Sequence, residues 1–147
     1  MKDQKIYQFV WWPKNVRPNT TDDEYWDSMI HPDDLSLIEN SVFHGNIFIE
    51  IESDIHYLTI SDGENNLRIN QLKKSKCLRE IDFEGFFYKD FVSINQNNGE
   101  NTVRDGRISY LFYHNKDNCI IYHIDDLEGK RVKKQYKSKD LTLKQYP

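Results

Sequence analysis

The spacing of apolar residues along the chain indicates a fold built mainly from strands. The first apolar run is Ile6 to Trp11, and Pro13 ends it because a proline cannot donate to a strand ladder. From Phe43 onward apolar and polar residues alternate with a period of two, which is typical of a half-buried strand. Neighbouring side chains of such a strand point to opposite faces of the sheet.

Three strands are predicted in the middle of the chain. In the first, one face carries Ile47, Ile49 and Ile51, and the other carries Phe48, Glu50 and Glu52. Residues 55–60 form its predicted antiparallel neighbour. Residues 67–72 return along that neighbour after a turn at residues 62–66, which is rich in Asp, Gly and Asn. These segments are expected to pair in one antiparallel sheet.

Two short helices are predicted between Asp22 and Asn40. Thr21, with Glu24 three residues later, forms a capping-box pattern at the start of the first helix. The second helix begins at His31-Pro32-Asp33-Asp34, where proline suits the first helical position and the aspartates stabilise the positive end of the helix dipole. Leu35 and Ile38 are spaced to face a core.

The clearest element is a hairpin from Gly106 to Asp126, with residues 115–118 as its turn. A four-residue loop fixes the register of the two strands. The predicted facing pairs are His114 with Cys119, Phe112 with Ile121, Tyr110 with His123, and Leu111 with Tyr122. Both faces of the hairpin are largely apolar, so both are expected to be covered. Residues 130–136 follow as a short, charged edge strand.

These elements predict a β-rich α+β fold of seven or eight short strands. The expected architecture is a bent antiparallel sheet or SH3-like barrel with short N-terminal helices. At 147 residues the chain falls within the size range of one domain. The predicted organisation is a single domain over residues 1–147, in which the strand and helices of residues 1–45 pack on a sheet or barrel of residues 46–147.

Composition favours a soluble protein of the cytoplasm. Charged residues make up 30% of the chain, and no apolar run approaches the roughly eighteen residues that cross a membrane, so no membrane association is expected. The N-terminal run is typical of a strand and lacks a signal-peptide cleavage pattern. Cys77 and Cys119 are too few for a disulfide scaffold and lack metal-binding spacing, so both are expected to be reduced thiols.

Charge is distributed unevenly along the chain. Residues 18–67 contain twelve Asp and Glu but no Lys or Arg, whereas residues 68–147 contain sixteen basic and eleven acidic residues. Two interpretations stay open: the halves neutralise each other, or one face remains negative and attracts a cationic partner in a salt-dependent way. For the second interpretation the candidate protein-binding residues are Asp22, Asp23, Asp27, Asp33, Asp34, Glu50, Glu52 and Trp26.

The tryptophans could contribute an anchor to such a surface. Trp11 and Trp12 are adjacent in a strand and must point in opposite directions, so one of them lies under the helices or on the surface. An exposed Trp near acidic residues is a typical binding hot spot. Burial beneath the helices of residues 22–40 is the favoured alternative.

The basic end of the chain predicts a second class of partner. Its candidate nucleic-acid-binding residues are Lys130, Arg131, Lys133, Lys134 and Tyr136. The Tyr136 ring, which can stack on a base, follows the four cationic side chains closely in the sequence. The net charge of −4 opposes this function, because a polyanion also meets the field of the twelve carboxylates. Nucleic acid is therefore the less expected partner.

No catalytic residue, cofactor or metal is predicted. The sequence contains no Walker loop, no dinucleotide-binding glycine motif, no metalloprotease helix and no nucleophile elbow, so the chain is not expected to be an enzyme. His114 and Cys119 face each other across the hairpin, but two ligands do not make a metal site, and His114 is expected to cap or pack the turn. A hydrolase centred on His56, with Glu50, Glu52 or Asp54 as its carboxylate, is the remaining catalytic alternative.

Several short motifs carry a resemblance to other proteins. They are Gly106 to Asp117, Ile121-Tyr122-His123-Ile124, Gly129-Lys130-Arg131, Lys133-Lys134, Tyr136, Asp140-Leu141, His31-Pro32-Asp33-Asp34 and Leu67-Arg68-Ile69. Through them the chain resembles a family of small uncharacterised bacterial proteins with SH3-like barrel character. The resemblance implies that fold and a bacterial origin, and it brings no catalytic residues. Proteins of this kind are often suspected to be immunity proteins of toxin systems.

These observations predict a bacterial, cytoplasmic protein-binding module. Its most specific form is an immunity-type inhibitor that presents an acidic surface to a basic toxin or another cationic protein. The alternatives are a nucleic-acid-binding barrel that uses the basic C-terminal strand, and a purely structural role.

Overall fold

The computed structural model describes residues 5–12, 23–38, 46–95, 104–132 and 134–145. The chain divides into two compact units, Met1–Asp82 and Phe83–Pro147. Each unit contains one antiparallel sheet. The predicted single domain, with residues 1–45 packing on residues 46–147, stays a prediction.

The first unit contains a five-stranded sheet and short helices. Its strands are β1 (Ile6–Phe9), β2 (Ile47–Ser53), β3 (Tyr57–Ser61), β4 (Asn66–Asn70) and β5 (Leu78–Ile81). Its helices are α1 (Asp23–Asp27), α2 (Leu35–Ile38), which a 3₁₀ turn at Pro32–Asp34 precedes, and α3 (Lys74–Cys77). The strand order is β4-β3-β2-β1-β5, with antiparallel pairing throughout. The predicted pairing of the three central strands is confirmed.

A bulge in β2 reverses the faces of its second half. Glu50 faces Ile60 of β3, but Glu52 faces Thr59, so Ile51 is the extra residue. Ile60 and Thr59 are neighbours and point to opposite faces of the sheet, and therefore Glu50 and Glu52 do so as well. The expectation that Glu50 and Glu52 share a face is wrong, because a period of two holds only while no residue is inserted.

The helical region and the first sheet share one hydrophobic core. Trp11 is buried in this core, and its indole N–H donates to the carbonyl oxygen of Trp26 in α1 at 2.8 Å. Trp12 is half-buried against the same core. The predicted first strand ends at Phe9, before the two tryptophans, and Trp11 has the favoured position, buried beside the helices. The other core residues include Phe9, Met29, Ile30, Ile38, Phe48, Leu58, Ile60, Leu67 and Ile69.

The start of the second helix has the predicted chemistry. Pro32 occupies the first turn, and His31 Nδ1 accepts a hydrogen bond from the backbone N–H of Asp33 at 3.0 Å. Ile38 is buried and Leu35 is half-buried, so the apolar spacing faces the core as expected. Two short helices are thus confirmed, whereas Thr21 and Asp22 of the predicted first cap lie outside the described residues.

The second unit contains a four-stranded sheet. Its strands are β6 (Phe91–Ile94), β7 (Arg104–His114), β8 (Cys119–Asp126) and β9 (Leu141–Leu143), and a 3₁₀ turn at Ser138–Asp140 precedes β9. The order is β8-β7-β6-β9, again antiparallel throughout. All four predicted facing pairs of the β7–β8 hairpin are confirmed.

Two features alter the pairing of the hairpin strands at a distance from the turn. The register shifts at Ser109, because Ile108 faces Ile124 whereas Tyr110 faces His123. At Gly106 the strands approach so closely that a Cβ atom would lie 2.3 Å from the carbonyl oxygen of Asp125. Only glycine therefore fits at residue 106 without moving the backbone of β8.

The basic segment lies along the free edge of β8. Tyr136 and Tyr122 exchange two backbone hydrogen bonds, of 2.8 and 3.0 Å, and Arg131 forms a bridge with Asp125. The predicted edge position of residues 130–136 is confirmed for the described part of the segment, which excludes Lys133, but this part forms isolated bridges instead of the predicted strand.

The β-rich α+β class with bent antiparallel sheets is confirmed. In the described residues the strands form two open sheets, and no closed barrel is present there. None of the helices in this part of the chain combines the length and apolar character needed to cross a membrane.

Candidate functional site

Asp34 is a buried structural residue, which corrects its assignment to a protein-binding surface. Its carboxylate accepts a hydrogen bond from the backbone N–H of Arg68 at 2.8 Å and two from the Arg68 guanidinium, each at 3.0 Å. Burial by itself raises the pKa of Asp34, but the hydrogen bonds from Arg68 outweigh it and hold the pKa below its usual value. The pair therefore ties the helical segment to β4.

Glu50 also has a partner inside the first unit. It is half-buried, and its Oε1 accepts a hydrogen bond from the hydroxyl of Tyr7 at 2.9 Å. Burial, this hydrogen bond and the negative charges of Glu50 and Glu80 all raise the pKa of Tyr7. Glu50 thus helps to join β1 to β2.

The remaining candidate protein-binding residues do not form a single exposed surface. Asp23, Asp33 and Glu52 are exposed and Asp27 is half-buried, whereas Asp22 lies outside the described residues. Trp26 is only 9% exposed, so it is a core residue and not a surface anchor. Because Asp34 and Trp26 are buried and Glu50 and Glu52 point to opposite faces, the eight candidates form no single exposed patch.

One end of the first sheet exposes three aliphatic side chains, which we call the apolar end: Ile51, Ile55 and Leu72. Their exposed fractions are 52%, 84% and 91%. Ile51 is the bulged residue of β2, Ile55 lies in the β2–β3 loop, and Leu72 follows β4. Sequence reasoning assigned Ile51 and Ile55 to strand faces, because alternating aliphatic residues usually mark a core.

Gln71 joins the two loops of the apolar end. Its backbone N–H donates to the carbonyl oxygen of His56 at 3.0 Å. Its side-chain amide donates to Ser53 Oγ at 2.8 Å and to the carbonyl oxygen of Asp54 at 2.9 Å. These three bonds hold Ile55 and Leu72 at the same end of the sheet.

Asp54 orders the β2–β3 loop from within. Its Oδ1 accepts hydrogen bonds from the backbone N–H groups of Tyr57, at 2.7 Å, and His56, at 2.8 Å. These bonds lower the pKa of Asp54. His56 is exposed and contacts Asp54 through its backbone, which gives no support to a hydrolase centred on His56.

The candidate nucleic-acid-binding residues divide between the surface and the core. Lys130, Arg131 and Lys134 are exposed, and Lys133 lies outside the described residues. Tyr136 is only 4% exposed and faces Tyr122 on the buried side of the sheet, so it cannot stack on a base. Its predicted role is therefore corrected to a core residue whose ring also contacts Lys134 Nζ, 5.7 Å from the ring centroid.

The other face of the same strands carries three rings that sequence reasoning did not connect with binding: Tyr110, Phe112 and His123. The Tyr110 and Phe112 centroids are 6.0 Å apart, with ring planes 30° from parallel, and the His123 ring lies edge-on to both, at 5.5 and 5.7 Å. All three rings are half-buried. The predicted register already placed Tyr110 opposite His123, but pairing alone does not reveal which face stays accessible.

Polar groups of the edge segment surround these rings. Gln135 Nε2 lies 3.3 Å from His123 Nε2. Burial, followed by the positive charge of Arg131, lowers the pKa of His123. We define the aromatic–basic surface as Tyr110, Phe112, His123, Arg131 and Gln135.

A cleft of about 440 Å³ adjoins the aromatic–basic surface, shares Gln135 with it, and is also lined by Lys134. We call it the lysine cleft; its lining also includes His114, Ile121, Lys137, Lys139, Asp117 and Asp140. Asp117 Oδ2 lies 3.4 Å from both Lys137 Nζ and His114 Nδ1, and Asp140 accepts a hydrogen bond from the backbone N–H of Lys137 at 3.0 Å.

The histidine of the hairpin turn has the predicted capping role. His114 Nδ1 accepts a hydrogen bond from the backbone N–H of Asp117 at 3.2 Å, and His114 faces Cys119 across the strands. Within the described part of the chain, no group of three or more His, Cys, Asp or Glu residues is arranged to hold a metal ion.

Comparison with known proteins identifies a family but no characterised relative. No curated protein and no solved structure matches the sequence. The resemblance to SH3-like proteins of toxin-immunity type therefore stays a prediction. The model of a family of unknown function, DUF6960, matches residues 4–142. Because the match spans nearly the whole sequence, the chain belongs to the DUF6960 family.

Proposed function

We propose that this protein is a protein-binding module that docks on a basic partner through the apolar end of its first sheet. The observation that carries the proposal is the exposure of Ile55 and Leu72, at 84% and 91%. Exposed aliphatic side chains held at one end of a sheet are typical of surfaces that bind another protein. Each can gain about 1.5 kcal/mol or more when a partner buries it.

The charge of the first unit supports a cationic partner. Residues 1–82 contain nine Lys and Arg against fifteen Asp and Glu, a formal charge of −6. A negative field of this kind raises the association rate of a basic protein at low ionic strength. The exposed Glu52 and Asp54 lie beside the apolar side chains, and the exposed Lys74 and Lys76 follow Leu72. Opposite charges on the two sides of the apolar end would fix the orientation of the partner.

The proposed setting is the bacterial cytoplasm, where the two reduced cysteines are ordinary. A cognate toxin is one basic protein with the required chemistry. The proposed interaction needs no metal or cofactor. It differs from the initial acidic-surface hypothesis because apolar anchors, and not carboxylates, supply most of the binding energy.

Differential capture from a lysate of a host bacterium tests the proposal. The wild-type chain, the double variant Ile55→Ser with Leu72→Ser, and the control Leu127→Ser serve as bait. Leu127 is 66% exposed and lies in the second unit, so its substitution matches the chemistry without touching the apolar end. A basic protein should be retained by the wild type and the control and lost by the double variant.

The captured protein is then purified and its affinity is measured. Each single substitution should raise the Kd about tenfold, which corresponds to about 1.4 kcal/mol. The association rate should fall as salt increases. The proposal fails if no captured protein depends on Ile55 and Leu72, or if Leu127→Ser weakens binding equally.

A further inference from the structure

The aromatic–basic surface has the geometry of a platform for unpaired bases. Tyr110 and Phe112 are two residues apart on one strand, half-buried on the same face, with ring planes 30° from parallel and centroids 6.0 Å apart. The edge-on His123 ring supports both of them. Aromatic side chains displayed in this way on a sheet stack on successive bases of a single strand.

The lysine cleft supplies the charge that such a platform needs. It shares Gln135 with the aromatic–basic surface and is lined by Ile121, which faces Phe112, so the two features are continuous; Lys134 also lines it. Lys137 and Lys139 add two further ammonium groups to its lining.

The acidic residues of the cleft do not remove its attraction for phosphate. Its lining contains three lysines against the two aspartates, so the cleft keeps a net positive charge although Asp117 Oδ2 lies 3.4 Å from Lys137 Nζ. Residues 83–147 contain eleven Lys and Arg against nine Asp and Glu, a formal charge of +2. The overall charge of −4, which argued against nucleic acid, thus arises from the charge of −6 on residues 1–82.

We propose that the aromatic–basic surface and the lysine cleft together bind single-stranded nucleic acid. Tyr110 and Phe112 stack on two neighbouring bases, and Lys134, Lys137 and Lys139 contact the phosphates. A duplex is a poor ligand because its bases are already stacked on one another and do not offer free faces. The function is separate from protein docking, since every residue that it uses lies in the second unit.

Fluorescence anisotropy with the full chain and a labelled oligo(dT) of about twelve nucleotides tests the proposal at low salt. The same oligonucleotide is annealed to oligo(dA) as the duplex comparison. Single-strand binding should be at least tenfold tighter than duplex binding. Phe112→Ala and Tyr110→Leu should each weaken it by about 5- to 100-fold, because stacking on one base is lost. Tyr113→Ala is the matched control, since Tyr113 is half-buried on the same strand but on the opposite face.

Lysine variants test the role of the cleft. Lys134→Ala and Lys139→Ala should each weaken binding and reduce the slope of log affinity against log salt by about 0.7, the value for one phosphate of a single strand. Both side chains are exposed, so these variants should fold normally. Lys144→Ala, which removes a lysine paired with Asp105 beyond the end of β9, should leave the slope unchanged.

Three outcomes would overturn the proposal. The first is the absence of oligonucleotide binding at low salt. The second is binding that the Tyr110, Phe112 and Lys134 variants leave unchanged. The third is equally tight binding of the duplex or of heparin, because that result would indicate attraction to any polyanion without a contribution from stacking.

Discussion

Several carboxylates of the first unit accept hydrogen bonds from other parts of the fold, whereas the second unit leaves much of its positive charge at the surface. Asp34 binds Arg68 and Glu50 binds Tyr7, and Asp54 and Asp62 accept backbone N–H groups in tight turns. Lys130, Arg131 and Lys134 are exposed along the edge of β8. The same contrast appears within the second unit, where the carboxylates accept backbone N–H groups: Glu84, Asp90, Asp126 and Asp140.

This difference follows from the chemistry of the side chains. A carboxylate is short and accepts several hydrogen bonds, so it suits turns, helix starts and buried pairs. A lysine donates only and carries its charge on a long apolar stem, which lets the ammonium group remain in water. An excess of Asp and Glu in a sequence is therefore weaker evidence for a charged surface than an excess of Lys.

The largest expected effect is the difference in the free energy of unfolding between removing one buried carboxylate and removing one exposed ammonium group. Asp34→Ala should lower the free energy of unfolding by about 2 kcal/mol, because hydrogen bonds to a buried charged group are lost. Lys134→Ala should change it by less than about 0.5 kcal/mol, as for most surface substitutions. Urea denaturation measures both values. Similar losses for the two variants would remove the distinction between the units.

A comparison of the wild type with Asp34→Asn at acid pH should isolate the contribution of Asp34 to stability. Its pKa is lower in the folded protein than in the unfolded chain, where it is about 3.9. The stabilisation is therefore complete above that pKa and is lost as the pH falls through the lower, folded value. The urea midpoint of the wild type should fall more steeply below about pH 4 than that of Asp34→Asn. Parallel profiles for the two proteins would contradict the assignment.

A third comparison lies within the second unit. Asp126 Oδ1 accepts the backbone N–H groups of Glu128 and Lys130, each at 2.9 Å. Asp126→Ala should cost about 1 kcal/mol of stability, the typical value of such bonds. Lys130→Ala, which leaves these bonds intact, should be nearly neutral. Equal costs in urea denaturation would mean that the lysine also has a structural role.

The smallest expected effect concerns a lysine at a position that favours glycine. Lys89 has a φ of 70° in the turn that the hydrogen bond from Asp90 N–H to the Phe87 carbonyl oxygen closes. Lys89→Gly should therefore raise the stability by up to about 1 kcal/mol. A thermal melt that shows destabilisation would indicate that the side chain of Lys89, whose Nζ lies 5.5 Å from the Tyr88 ring centroid, outweighs the strain.

Local signals predicted the parts of the fold that depend on neighbouring residues. The four-residue turn at 115–118, between His114 and Cys119, fixed the register of the hairpin as far as the bulge at Ser109. Pro32 and the aspartates after it marked the start of a helix. In both cases the determining residues lie within a few positions of the structure that they specify.

Features that depend on distant contacts could not be read from the sequence. Asp34 and Arg68 are thirty-four residues apart, and nothing near either residue identifies the other as its partner. The bulge at Ile51 leaves the pattern of apolar residues unchanged while reversing the face of Glu52. Burial of Tyr136 follows from its pairing with Tyr122, which depends on how the edge segment returns along β8.

Gln71 has a further consequence for any interaction at the first sheet. Its three hydrogen bonds fix both loops before a partner arrives, so the aliphatic groups lose little conformational entropy on association. The complex would then form between preorganised surfaces, and its lifetime, more than its rate of formation, would depend on how well the partner fits.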